Sequence, residues 1–294
     1  MRKFDIHVPE NLNDVLTYLD TYGSKVQVIA HGTDLINRMQ RRQIDSTVLL
    51  DLTGLSEFNF VQNDNGIIRI GALTTIHDLV SSSALDSRYD VFRDVAAKFG
   101  GPAIVNMATV GGNVCAASSS EDLIPVLLVL NAKVKVRSKQ GDRVMRLDEF
   151  LKGKRQTALL PNEIMIEIMF EDLGSQSACA FEKIGMRNSL IIAFLNCAIY
   201  LTLNKRSKLI DEVRIAFNRT SSKIPARATK TESVLTGKTL SPELVESAIS
   251  SLKSELQLTS DFRVSGEYRR EVAPVIFRRA LVKCAERLGE KSIV

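Results

Sequence analysis

The 294-residue sequence predicts an α+β protein built as a small parallel βαβ unit, a mixed, mainly antiparallel sheet, and a C-terminal three-stranded sheet with a helix bundle. Three observations carry this expectation. A β-branched run at 26–30 and an apolar run at 46–52 flank a helical pattern. From residue 56 onward, short alternating arms come in pairs around turn residues. After residue 227 the pattern is helical nearly to the end. The grammar changes near residue 55 and again at the polar stretch 172–177, so the expected segments are 1–55, 56–174 and 175–294.

In the first segment, Leu12, Val15, Leu16 and Leu19 follow helical spacing between Pro9 and Gly23, predicting a helix over 10–21. A strand at 26–30, a loop at His31-Gly32-Thr33-Asp34, a helix over 34–41 and a strand at 46–52 complete a βαβ unit. The second segment opens with "FNFVQNDNGIIRIGALT", two arms around Asn-Gly, the signature of an antiparallel hairpin. Helices are expected over 75–82 and 89–99, a hairpin over "AKVKVRSKQGDRVMRL", and a strand over 162–171. The third segment should hold strands at 178–184, 190–203 and 211–218. Its helices are expected at 227–236, after Ser241-Pro242, and over 267–288.

Hydrophobic content of 45% and charged content of 25% are those of a soluble globular protein. A net charge of +5, spread over 39 basic and 34 acidic residues, argues against a nucleic-acid binder and suits an anionic cofactor or an acidic partner. Cys115, Cys179, Cys197 and Cys284 are widely separated, which excludes the familiar zinc and iron–sulfur spacings; each is expected as a small buried hydrophobe. The N-terminal stretch lacks the apolar core of a signal peptide, and the most apolar run, 189–204, contains Asn196 and falls short of the roughly 20 residues that span a bilayer. It is expected as buried β-structure in a cytoplasmic protein with no membrane or nucleic-acid partner.

Two stretches carry chemistry. The corner "VIAHGTDLI" turns a strand into a helix, where the first backbone N–H groups point outward and attract anions; taken alone, a plain helix cap by Thr33 or Asp34 is the favoured account, because such corners are common. The second stretch, "NMATVGGNVCAASSSEDLIPVLLVLNA", sets Thr109 and Asn113 around Gly111-Gly112. Tiny residues from Ala116 to Ser120 follow, then Asp122 at the head of an apolar helix. A backbone so bare suggests close approach to a flat or oxygen-rich ligand. Neither stretch is a dinucleotide fingerprint or a P-loop.

Together these two stretches resemble the FAD-binding loops of the medium, flavoprotein subunit of the molybdenum hydroxylases, the xanthine dehydrogenase, carbon monoxide dehydrogenase and aldehyde oxidoreductase group. Phe4 and Pro9 before a Leu-rich helix, "RIGALTTIHDL", "FEKIGMR" and "SDFRVSGEYRREVAPVIFRRAL" extend the resemblance over essentially the whole chain. It implies an FAD-binding fold of two α/β subdomains, 1–55 and 56–174, followed by a C-terminal flavoprotein domain, 175–294. It also implies that the loop Val28, Ile29, Ala30, His31, Gly32, Thr33, Asp34 and Leu35 wraps the FAD pyrophosphate through its backbone. Thr109, Val110, Gly111, Gly112 and Asn113 would form the second half of that cradle, with Asp122 at the sugar–phosphate region. Phe99 would lie near the cofactor, Ile164 or Met165 beside the isoalloxazine, and Lys183 toward the flavin.

Two positions depart from the family. His31 stands where many members have a second glycine, and a histidine is strained there if the position requires positive φ. It is expected to serve through its main chain, with the imidazole pointing elsewhere and FAD held non-covalently. Ile191 replaces an aspartate that lies near the flavin in some relatives. The resemblance further implies an oxidoreductase subunit with no catalytic acid or base of its own and no bound metal. It would take electrons from [2Fe–2S] clusters on a small subunit, fed by a molybdopterin site on a large one, in a heterotrimer that could itself dimerise, and pass them to an external acceptor. The alternatives are a free-standing FAD-dependent oxidoreductase and a cofactor-free assembly subunit.

Overall fold

The computed structural model describes residues 3–44, 47–186, 192–218 and 226–290. The chain gathers into two compact units that are discontinuous in sequence. The first comprises residues 1–84, 101–117 and 132–171; the second comprises 85–100, 118–131 and 172–294.

In the first unit, the expected βαβ crossover is present. Strand Gln27–Ile29 leads through helix Leu35–Gln40 to strand Val48–Asp51, and the two strands pair in parallel. A third strand, Asp5–His7, joins the far side of Val48–Asp51, also in parallel. The sequence reading had no strand there, because three residues carry too little periodicity to register. Helix Leu12–Tyr22 is capped by Asn11, whose side chain accepts from the Asp14 amide, and it buries Val15, Leu16 and Leu19. These residues pack with Leu50, Leu52, Ile164 and Ile166, so the apolar stripe read from the sequence is the one that forms the core.

The larger sheet of this unit has the order Val61–Asp64, Ile67–Gly71, Ile164–Glu171, Lys133–Ser138, Gly141–Arg146, and every neighbouring pair is antiparallel. The Asn65-Gly66 turn closes its first hairpin, as expected of that dipeptide. The exit of that hairpin holds the segment that follows in space. Thr75 pairs with Thr109 as an isolated bridge, the Val110 amide donates to Thr74 O, and the Gly111 amide donates to Ala72 O, both at 2.9 Å. Val110–Ala116 is therefore a short helix, capped by the Thr109 hydroxyl accepting from the Gly112 amide. The sequence reading expected a loop here. Tertiary bonding to the hairpin exit overrides the poor helix propensity of two adjacent glycines.

In the second unit, three long antiparallel strands, Ser177–Ile184, Leu195–Leu203 and Ile210–Phe217, are extended by a two-residue strand, Ala226–Arg227. The described part of the apolar run at 189–204 is thus the central strand, buried almost throughout. Helix Gly266–Arg287 lies on the first two strands and helix Leu123–Val129 on the second and third. Every residue of Leu123–Val129 is buried, and this explains why residues 118–131 cluster with this unit although first-unit segments flank them. Helix Pro242–Glu255 begins at the Ser241 cap with proline at its first position, as the sequence indicates. The basic C-terminal helix is answered by acids within the unit. Arg287 forks onto Asp94 with two 2.9 Å bonds, and Lys283 reaches Glu182 at 2.7 Å. No described helix is long and apolar enough to cross a membrane.

Gly111 is the tightest constraint on the Thr109–Ala116 segment. A Cβ built on it would meet Ala72 O at 2.6 Å and Ala72 Cβ at 2.8 Å, both belonging to or carried on a fixed main chain. Gly111→Ala should therefore lower stability in urea unfolding by about 1–3 kcal/mol, the usual cost of overpacking. Unchanged stability would mean that the helix can slide away from the hairpin exit.

Candidate functional site

The first loop has the geometry of an anion cradle. Gly32 adopts φ +74°, and a Cβ there would meet Ile36 Cγ1 at 2.7 Å, so the left-handed conformation and the close approach both favour glycine. His31 is not among the residues with positive φ, so the strain feared for a histidine at this position does not arise. Behind the loop the chain is fixed. The Leu52 amide donates to Ile29 O at 2.9 Å, the Ile36 amide to Gly32 O at 3.1 Å, and Asn37 Nδ2 to Thr33 O at 2.9 Å. The amides of His31, Gly32, Thr33, Asp34 and Leu35 have no acceptor among the described residues. Five consecutive open donors at the start of a helix suit negatively charged oxygens.

Asp34 would oppose an anion here if its carboxylate were free. It makes no cap on the helix it precedes, so the simple capping account fails for its side chain. Instead Arg155 grips it through two bonds, Nη1 to Oδ2 at 2.7 Å and Nη2 to Oδ1 at 3.0 Å, while Arg38 stands 3.7 Å away. Arg38 is held below its ordinary range, first by burial and then by the neighbouring Arg155 charge, with Asp34 opposing. Two guanidiniums against one carboxylate leave the corner net positive.

Arg155 also ties this loop to the second stretch. Its Nη1 donates to Ala116 O at 3.1 Å and its main-chain amide to Ala117 O at 2.8 Å, with its own φ at +61°. No sequence motif singled out Arg155. Its partner lies 121 residues away, and only the folded chain brings the two together.

The second stretch offers a different resource. The amides of Val110, Gly111, Gly112 and Asn113 are all bonded, to Thr74 O, Ala72 O, Thr109 Oγ1 and Thr109 O. Gly112 and Cys115, three residues apart on one helix face, are exposed. This segment therefore presents a bare surface rather than open donors. Cys115 also departs from the expectation that every cysteine is buried. Cys179, Cys197 and Cys284 are buried, and burial pushes their thiols up, that of Cys179 to about 12. Ile164 and Met165 lie in the same unit at the start of a core strand. Both residues are buried, at 6% and 4% exposed, and both pair with the strand Lys133–Ser138.

The remaining expected residues fall in the second unit. Phe99 is half-buried at the end of helix Asp90–Phe99. Asp122 and Lys183 form an ion pair with side chains only 6% and 4% exposed. Lys183 Nζ also donates to Lys98 O at 2.9 Å, and Asn196 Nδ2 donates to Asp122 Oδ1 at 2.9 Å. Asn218 Nδ2 donates to Glu121 O at 2.8 Å, so the chain just before Asp122 is anchored as well. Next to Lys183, burial raises Glu182, but hydrogen bonds from Lys283 and Lys98 outweigh it and hold the carboxyl below its ordinary range. Ile191 lies outside the described residues.

Comparison with known proteins gives this arrangement a context. Residues 2–170 match the family described as the FAD binding domain in molybdopterin dehydrogenase, and residues 180–284 match the CO dehydrogenase flavoprotein C-terminal domain. The glyceraldehyde dehydrogenase medium chain of Sulfolobus acidocaldarius is 28% identical over 94% of this chain and 96% of its own length. The nicotinate dehydrogenase FAD-subunit of Eubacterium barkeri is 26% identical over 98% of both chains. A chain in the structure of reconstituted CO dehydrogenase from Oligotropha carboxidovorans superimposes with a TM-score of 0.91 at 25% identity, covering 98% of this chain and 100% of that one. Because the first family match alone spans more than half of the chain, the protein belongs to the FAD-binding flavoproteins of the molybdopterin dehydrogenases and is an oxidoreductase component of that kind.

Proposed function

We propose that this chain is the FAD-carrying electron-transfer subunit of a multi-subunit molybdenum hydroxylase. In this reading it receives electrons from the [2Fe–2S] clusters of a small partner subunit, while a large subunit carries the molybdopterin site, and an external acceptor takes the electrons onward. The observation that carries the reading is the first loop, where five open amides and a neutralised acid suit a diphosphate. Kinship over nearly the full length with proteins named as medium chains and FAD-subunits supports the heteromeric arrangement.

When bound, FAD supplies the redox chemistry. The protein's own residues bind and orient it. The amides of His31 to Leu35 would hold the diphosphate, with Val28 to Ala30 leading into the loop. Gly112 and its neighbours on the Thr109–Asn113 segment would give it a flat seat. Arg155 keeps Asp34 from repelling it. Phe99, Ile164 or Met165, and the Asp122–Lys183 pair complete the proposed set of cofactor-contacting positions. The first two segments of the chain, 1–55 and 56–174, would carry most of these contacts and 175–294 the lysine. The acids of the set are committed to ion pairs, as suits a subunit that passes electrons rather than protons.

Three measurements follow. Chain purified with its native partners should be yellow, releasing FAD at one per chain on heat or acid treatment, and should co-purify with molybdenum and iron. A colourless chain that cannot be reconstituted with FAD overturns the reading. Arg155→Ala should weaken FAD binding by about tenfold or more, because it exposes the Asp34 charge to the diphosphate. Adding Asp34→Ala to that variant should recover part of the loss, and equal affinity for single and double variants would refute this role. Lys183→Met leaves Asp122 buried without its cation and should cost about 3–5 kcal/mol in urea unfolding of the FAD-free chain. A lysine that only touches flavin would leave that unfolding curve unchanged.

A further inference from the structure

The side chain of His31, in the middle of the first loop, has no role in the account above. Its backbone does not need histidine, since the left-handed conformation falls on Gly32. Nor is its ring simply packed away. Nδ1 is enclosed by protein and has no hydrogen-bond partner among the described residues, while the residue as a whole is only half-buried. A proton on Nδ1 would be a buried donor with nothing to receive it, an unfavourable arrangement. The ring proton therefore belongs on Nε2, the other nitrogen of a half-buried side chain. Asp34, the carboxylate three residues along, is already taken by Arg155 and does not serve as its acceptor. The side chain thus adds a donor to a loop whose main chain already presents five.

We infer that the His31 imidazole donates its Nε2–H to the diphosphate of FAD, a side-chain contact added to the backbone cradle. The inference rests on the FAD reading above. It makes His31 a binding residue in its own right and gives this chain a donor that a glycine at the same position cannot supply.

The test uses the full-length chain and FAD itself. The sequence has only three histidines, His7, His31 and His77, so long-range nitrogen-15 spectra of histidine-labelled protein resolve each ring. The His31 signals, assigned by their loss in His31→Gln, should be those of the Nε2–H tautomer, and the Nε2 signal should shift when FAD is added. His31→Leu, which keeps bulk and removes the donor, should raise the FAD dissociation constant about ten- to a hundredfold, the range for a hydrogen bond to a charged acceptor. It should also move the phosphorus-31 signals of bound FAD. His31→Gln, which restores an N–H donor, should regain part of the affinity. Wild-type affinity and unchanged phosphorus signals in His31→Leu overturn the inference while leaving the FAD reading intact. A wild-type chain that binds no FAD overturns both.

Discussion

The Asp34–Arg155 ion pair is the interaction on which the proposed site depends. A strand-to-helix corner offers open amides, but this one also carries an acid at the mouth of the helix, where it would repel the anion those amides attract. Arg155 resolves the conflict by neutralising the acid through a two-pronged contact. The same residue fixes the end of the Val110–Ala116 helix through its main chain and its guanidinium. One arginine thereby sets both the charge of the first loop and its tether to the second stretch. Lysine could not make this forked contact and hold a carbonyl with the same group.

The division of work between the two stretches of the first unit follows from how each satisfies its backbone. At the first loop, the strand ends before the helix begins, and the amides between them belong to neither. At Thr109–Asn113, the exit of the Val61–Gly71 hairpin takes up the amides of Val110 and Gly111, and the Thr109 cap takes those of Gly112 and Asn113. The first stretch therefore provides donors and the second provides a surface. The glycines serve different ends as well. Gly32 supplies a left-handed turn, whereas Gly111 supplies room for Ala72 to come close.

What could be read in the sequence was what local periodicity and turn chemistry encode. The Leu12–Leu19 stripe, the Asn65-Gly66 hairpin and the Ser241-Pro242 helix start all formed as expected, because each is decided by residues within a few positions of one another. The site was legible as two unusual stretches but not as a geometry. The glycine-rich stretch looked like a loop because its helical state depends on bonds to residues 72–75, more than thirty positions earlier. Arg155 was invisible for the same reason in stronger form, lying in a turn with no motif and meeting its partner only across the fold. The strand Asp5–His7 exists because Val48–Asp51 offers it an edge.

The Asp122–Lys183 pair illustrates why a resemblance gives a residue's position more firmly than its role. Family likeness drew attention to both residues as cofactor contacts, yet within their own unit each already has a partner, and both are almost fully withdrawn from water. A carboxylate and an ammonium so enclosed must be paired whether or not a ligand arrives, since an unpaired charge there would cost several kcal/mol. Their first duty is therefore structural: with Asn196 and Asn218 they anchor the chain around residues 121–122, where the small-residue run gives way to the buried helix Leu123–Val129. Any contact with a cofactor is made by a pair already locked in place. Holding the pair in advance lowers the ordering cost of any such contact.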